Sequence, residues 1–186
     1  IEEQLQDDLN RDSLTDYALK LIEDKPEKDS DDMPAERQRA LVVVLQKEGG
    51  RLARAAVADR LLQCTRCGGA FYGVSESPAN VQIEKGLIVV DQDHGSRNIT
   101  NTTYRFRYDK VTGNFILVGF DYADADRNSA DVISESTNYL TGVRIVTRGK
   151  GDRDIKSKST VPVRKTSMEE VDSEKFEAAA AKRLKL

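Results

Sequence analysis

Apolar residues in this chain recur mainly at every second position, in short runs separated by glycine-bearing turns. Asp16–Glu23 (DYALKLIE) places Tyr17, Leu19 and Leu21 at alternate positions, the spacing of a half-buried strand. Ala40–Gln46 (ALVVVLQ) is β-branched and continuously apolar, as expected of a strand in a sheet interior. Glu48-Gly49-Gly50 then turns the chain, and Arg51–Val57 is expected to run back antiparallel. Three more hairpins follow: Val81–Glu84 with Leu87–Asp91 across Lys85-Gly86, Thr103–Asp109 with Phe115–Tyr122 across Thr112-Gly113-Asn114, and Val132–Leu140 with Val143–Thr147 across Thr141-Gly142. Residues 24–38 are charged, hold two prolines and lack periodicity, so they read as an exposed loop. The basic stretch after Gly149 allows one strand at Thr160–Val163. Ser167-Met-Glu-Glu170 is a capping box, predicting a helix from Met168 to about Lys185 whose sparse apolar positions mean that it packs loosely or projects.

This pattern predicts an all-β, antiparallel, propeller-like array of short hairpins with a C-terminal helix, and it excludes a parallel α/β fold. The expected organisation is a β domain over residues 1–148 and a basic segment with helix over residues 149–186. With 186 residues, one well-buried core is the natural size. No run approaches the roughly 18 apolar residues of a membrane helix. A net charge of −3 argues against nucleic acid as a partner, because phosphate binding asks for a basic face. The chain opens at Ile1 in an acidic polar stretch with neither an initiator Met nor a signal-like run, so the expected gene product extends further N-terminally.

Candidate chemistry is concentrated in three places. In Asp8-Leu-Asn10-Arg-Asp12-Ser-Leu14-Thr-Asp16, side-chain oxygens recur at positions 1, 3, 5 and 9, with the Leu14 carbonyl at position 7. A hard cation such as Ca²⁺ takes six to eight oxygens from a loop curled around it, and this spacing supplies them. Leu19 stands where an EF-hand has its bidentate Glu, and Ser13 stands where the loop usually has Gly. The competing reading is a solvated acidic turn capping a strand. Cys64 and Cys67 form an isolated C-x-x-C beside Gly68-Gly69, which leaves a small structural disulfide, a redox pair or two buried thiols; the first is preferred, and zinc lacks ligands. Asp121–Asn128 is acidic without metal-loop spacing and reads as a solvated loop.

No nucleophile elbow, phosphate loop or H-E-x-x-H motif is present, and the one histidine, His94, lies in a polar stretch read as a surface loop, so no enzyme is expected. Thr103–Asp109 alternates strictly, with Tyr104, Phe106 and Tyr108 on one face and Arg105 and Arg107 on the other. Two readings of Tyr104 stay open: part of an aromatic core face, or an exposed anchor at the end of the polar loop Gly95–Thr102.

Taken together, DLNRDSLTDYAL, LLQCTRCGGAFYG, TYRFRYD followed by FILVGFDYAD, and STNYLTG resemble a family of bacterial periplasmic lipoproteins over about residues 7–148. These proteins are propeller-like and related to i-type lysozyme inhibitors, and some are immunity proteins against peptidoglycan hydrolases delivered by type IV secretion in bacterial competition. The resemblance implies a Ca²⁺ loop at Asp8, Asn10, Asp12, Leu14 and Asp16. It also implies an inhibitory loop that plugs the catalytic cleft of a lysozyme-like effector, mapping to Ser96, Thr102 and Tyr104. The expected location is the periplasm, with membrane attachment only through a lipid anchor outside this chain. The alternative is a calcium-dependent adhesion or scaffold module.

Overall fold

The computed structural model describes residues 1–150 and 153–186. Every strand pairing in it is antiparallel, and within each of its two sheets sequence neighbours are spatial neighbours. The first sheet has the order β1-β2-β3-β4, from Glu3–Asp7, Asp16–Ile22, Arg39–Lys47 and Arg51–Ala58. The second runs β11-β10-β9-β8-β7-β6-β5, from β5 (Ala79–Glu84), β6 (Leu87–Gly95), β7 (Asn98–Asp109), β8 (Asn114–Asp126), β9 (Val132–Asn138), β10 (Val143–Lys150) and β11 (Arg153–Thr160). One helix, α1 (Ser173–Leu184), closes the chain. The four predicted hairpins are all present, and β5–β11 are hydrogen-bonded as one continuous sheet.

Alternation places the core. Leu41, Val43 and Leu45 of β3 are buried while the residues between them are only partly so, because successive side chains leave opposite faces of a strand. They meet Ile88, Val90, Tyr104, Phe106 and Phe120 of the second sheet in one cluster. Tyr104 and Phe120 stack with ring centroids 5.0 Å apart, and Phe176 of α1 lies edge-on to both. Arg39 locks the sheets together. It is buried, with its Nε donating to Glu2 Oε2 at 2.9 Å and its Nη1 to the Ser77 carbonyl at 3.0 Å, so its charge is paired and its donors used.

Several expectations need correction. On β2 the core side carries Asp16 and Ala18, not Tyr17 and Leu19, because Asp16 is turned inward to accept three backbone N–H groups and the period of two carries Ala18 with it. The strand expected at Thr160–Val163 instead covers Arg153–Thr160; its side chains are all exposed, and it is held by pairing with β10. The Ser167–Glu170 capping box is real but starts only a single 3-10 turn. Val171 is buried in an extended conformation, and Asp172 then caps α1 by accepting from Lys175 N at 3.2 Å. The helix neither projects nor packs loosely: its Ala180 and Leu184 belong to the main core, and Phe176 and Ala181 pack against it. The boundary expected after residue 148 falls inside β10, and side chains on both sides of it share that core.

Candidate functional site

The connection between β1 and β2 gathers acidic groups. Leaving β1, the chain takes positive φ at Arg11 (62°) and Ser13 (69°), which folds the loop back on itself. Ser13 thus adopts the conformation for which glycine is favoured at that position. Asp8 is fixed by the loop, its Oδ1 accepting from Asp12 N and its Oδ2 from Ser13 N, each at 2.9 Å. Asp16, fully buried, accepts from Leu9 N at 3.0 Å and Gln46 N at 2.9 Å. Leu14 donates its N–H to Asp12 Oδ1 at 2.9 Å. One carboxylate oxygen from each of Asp8, Asp12 and Asp16 lies within 4.8 Å of the others.

Burial pushes the Asp16 carboxyl above the usual carboxylate range, with the nearby Asp12 charge adding to it and three backbone N–H groups opposing. Asp12 is held below that range, first by the Asn10 amide and then by the Leu14 N–H. Asn10 donates Nδ2 to Asp12 Oδ2 at 2.8 Å, but its Oδ1 is buried and has no hydrogen-bond partner. Three converging carboxylates beside an orphaned buried acceptor form a cluster that could hold a metal ion. Asp8, Asn10, Asp12 and Leu14 thus lie on the loop and Asp16 at the start of β2, with the three carboxylates brought together.

The residues assigned to an inhibitory loop do not form one surface. Asn98–Thr102 is strand, not loop: it pairs with β6 on one side and β8 on the other. Thr102 and Tyr104 both point inward, 1% and 0% exposed. Burial also pushes the Tyr104 phenol far up. A solvent-presented tip cannot include either side chain, and the core reading of Tyr104 is the correct one. Ser96 is exposed, in a two-residue connection with Arg97. Gly95 has φ of 140°, and a Cβ there would sit 2.0 Å from the Asn98 carbonyl oxygen, so only glycine permits this turn.

That turn is the centre of a surface the sequence did not announce. Gly95 N donates to the Gly68 carbonyl at 3.0 Å, which brings the Cys64–Cys67 segment against it. Cys64 and Cys67 are disulfide-bonded, with Cα atoms 5.1 Å apart. Beyond them Phe71 is 41% exposed, and the Arg127 guanidinium lies over its ring at 5.1 Å. Arg127 also donates Nη1 to the Ser96 carbonyl at 3.4 Å and its backbone N–H to the Arg97 carbonyl at 3.1 Å. Tyr72 donates its hydroxyl to Asp93; burial and that carboxylate push its phenol up to about 12. The available sequence signal was the aromatic pair Phe71-Tyr72 set among glycines.

His94 is also not on a loop. It ends β6, and its Nε2 lies 2.7 Å from Glu177 Oε2 on α1, a hydrogen bond that raises the imidazole above its ordinary value. The acidic stretch expected to be a solvated loop is mostly the end of β8: Asp121 binds Arg105 at 2.6 Å, and Asp126 binds Arg97 at 2.7 Å.

The fold and site thus define an antiparallel β protein with an acidic loop at one position and an aromatic–arginine turn at another. Compared with known proteins, the chain matches no family model, no curated protein and no solved structure.

Proposed function

We propose that the protein is a calcium-stabilised immunity protein that blocks a lysozyme-like peptidoglycan hydrolase in the periplasm, where a lipid anchor outside this chain holds it. The observation that carries this reading is the rigid, exposed tip at Ser96–Arg97 with Phe71 and Arg127 stacked beside it. Glycosidases of this class work with two carboxyl groups in a cleft, one of them protonated. The Ser96 hydroxyl can donate to a carboxylate and accept from its protonated neighbour. Arg127 brings positive charge toward an acidic cleft, and Phe71 offers an aromatic anchor of the kind that dominates interfaces. The tip residues of this reading are therefore Ser96, Phe71 and Arg127, in place of Thr102 and Tyr104. Its propeller-like element has the support of one blade-sized antiparallel meander, β1–β4.

The test is a peptidoglycan turbidity assay with lysozymes of the c, g and i types and with secreted lysozyme-like hydrolases. Wild type is expected to inhibit at least one of them. Phe71→Ala is expected to lose about 2 kcal/mol of binding, roughly thirtyfold, with an unchanged melting temperature. Full inhibition by Phe71→Ala and Arg127→Ala removes the tip assignment. Inhibition of no glycan hydrolase removes the immunity reading and leaves the adhesion or scaffold module.

A further inference from the structure

We infer that the protein holds a second site, between β10, α1 and the segment that follows β11, which binds a small organic oxyanion: a phosphate or carboxylate carried on an apolar body.

A cavity of about 580 Å³ opens there, within the range of small-molecule sites. Its chemistry is one-sided. Arg144, Arg164, Lys175 and Arg183 line it, and among the described residues no Asp or Glu does. Tyr139 and Phe176 supply aromatic wall, and Val161 and Pro162 supply apolar wall.

The charges beneath the cavity do not cancel this. Glu135 lies under its floor with a side chain that is 0% exposed, and it is engaged by Arg183 through Nε at 3.1 Å and through Nη2. Arg144 touches the same carboxylate only through Nε, at 3.8 Å, and that nitrogen donates to Thr137 Oγ1 at 3.3 Å. Among the described residues both terminal nitrogens of Arg144 are left without a hydrogen-bond partner, although its side chain is only 19% exposed. Two guanidiniums against one carboxylate leave a net positive floor. Lys175 is matched by Asp172 at 3.0 Å, whereas Arg164 at the rim makes no ion pair among the described residues. A half-buried guanidinium fork with free donors binds planar or tetrahedral oxyanions in two-point fashion, more strongly than neutral hydrogen bonds do.

The rest of the lining fixes the ligand class. Phe176 packs edge-on against Tyr104 and Phe120, so its ring is immobile and forms a preorganised apolar wall. Tyr139 makes no side-chain hydrogen bond among the described residues, and the Thr160 and Thr166 hydroxyls sit at the same opening. An inorganic anion would satisfy the arginines but leave that wall wet, and a neutral aromatic would leave the arginines unanswered. A molecule carrying both parts uses both.

Isothermal titration of the full chain with phenyl phosphate tests this, alongside inorganic phosphate, phenol and hexanoate. Phenyl phosphate and hexanoate are expected to bind one to one, with inorganic phosphate and phenol each about tenfold weaker or worse. Arg164→Glu, at an exposed position that does not endanger folding, is expected to weaken phenyl phosphate about tenfold, and Arg144→Lys to weaken it severalfold. Absence of saturable binding by wild type at about 10 mM phenyl phosphate overturns the proposal. So does inorganic phosphate binding as tightly as phenyl phosphate, or wild-type affinity in both variants. Binding to phosphatidylglycerol vesicles without binding to phenyl phosphate overturns it too, in favour of a membrane surface.

Discussion

Replacing Arg183 with Met strips a buried carboxylate of its principal partner, and the size of the effect follows from the geometry. Glu135 stands on the inner face of β9 with a side chain that is 0% exposed, and Arg183 reaches it from α1 with two donors. After the substitution, only Arg144 remains, at 3.8 Å and without a hydrogen bond to the carboxylate. Removing one partner from a buried ion pair costs about 3–5 kcal/mol, because the remaining charge keeps its desolvation penalty. Arg183 is itself 33% exposed, so water reaches the vacated space and the lower end, about 3 kcal/mol, applies. For a domain of this size that lowers the melting temperature by roughly 6–12 °C. The double variant Glu135→Leu with Arg183→Met removes both charges and is expected within about 1 kcal/mol of wild type, since an apolar pair of similar volume replaces a desolvated ion pair at little loss. Urea denaturation of the wild type, the single variant and the double variant at neutral pH measures this. A loss below about 0.5 kcal/mol in Arg183→Met refutes the reasoning. A double variant less stable than the single refutes it equally, because the carboxylate would then not be the strained party.

Two further outcomes follow from the site geometry. Calcium at about a hundred times its dissociation constant is expected to stabilise the fold by about 2.7 kcal/mol, raising the melting temperature by roughly 5–10 °C; EDTA should reverse the shift and Asp12→Ala should abolish it, whereas a wild type indifferent to EDTA leaves only a solvated acidic turn. The His94–Glu177 pair should make stability depend on pH: the folded-state pKa of His94 lies above the ordinary imidazole value of about 6.5, so its contribution is complete below about 6.5 and fades as pH rises through the raised value. The difference in urea midpoint between wild type and His94→Gln should therefore narrow only above about pH 6.5, with Asp93 and Asp124 supporting the protonated form alongside Glu177. A gap independent of pH shows that the pair holds α1 by hydrogen bonding alone.

What the sequence made legible and what it concealed divide on a physical line. Strands that bury one face declare themselves by their period, so β3 and the four glycine-turned hairpins could be placed within a few residues. The convergence of Asp8, Asp12 and Asp16 was legible because the acidic groups lie within nine consecutive residues. Strands that bury little leave no clear periodic trace, which is why β1, with Leu5 as its one apolar contact to the core, and most of β11, whose side chains are all exposed, were missed; both are edge strands held by backbone pairing. The polar end of β7 failed for a different reason. Asn98–Thr102 has only Ile99 as an apolar residue, yet it lies in the interior of a seven-stranded sheet whose neighbours were themselves read as loops.

That failure bears directly on function. A stretch of hydroxyl and amide side chains looks like a flexible, solvent-facing loop, and a tyrosine at its end looks like an anchor. Once the stretch is paired on both sides, alternation sends Thr102 and Tyr104 into the core and leaves the chain free only at Ser96–Arg97. In the proposed reading, contact with a partner at this end of the sheet comes from residues that sequence distance hides: Phe71, twenty-five positions before Ser96, and Arg127, thirty-one after it, drawn to the turn by the Gly68–Gly95 contact and the Arg127–Ser96 hydrogen bond. Their joint appearance is a product of sheet topology, in which the β6–β7 and β8–β9 connections emerge on the same edge because β6 through β9 are consecutive neighbours. Phe71→Ala and Arg127→Ala therefore probe a surface made by the fold, whereas Tyr104→Ala would report chiefly on the core, where losing a buried aromatic costs about 3–5 kcal/mol.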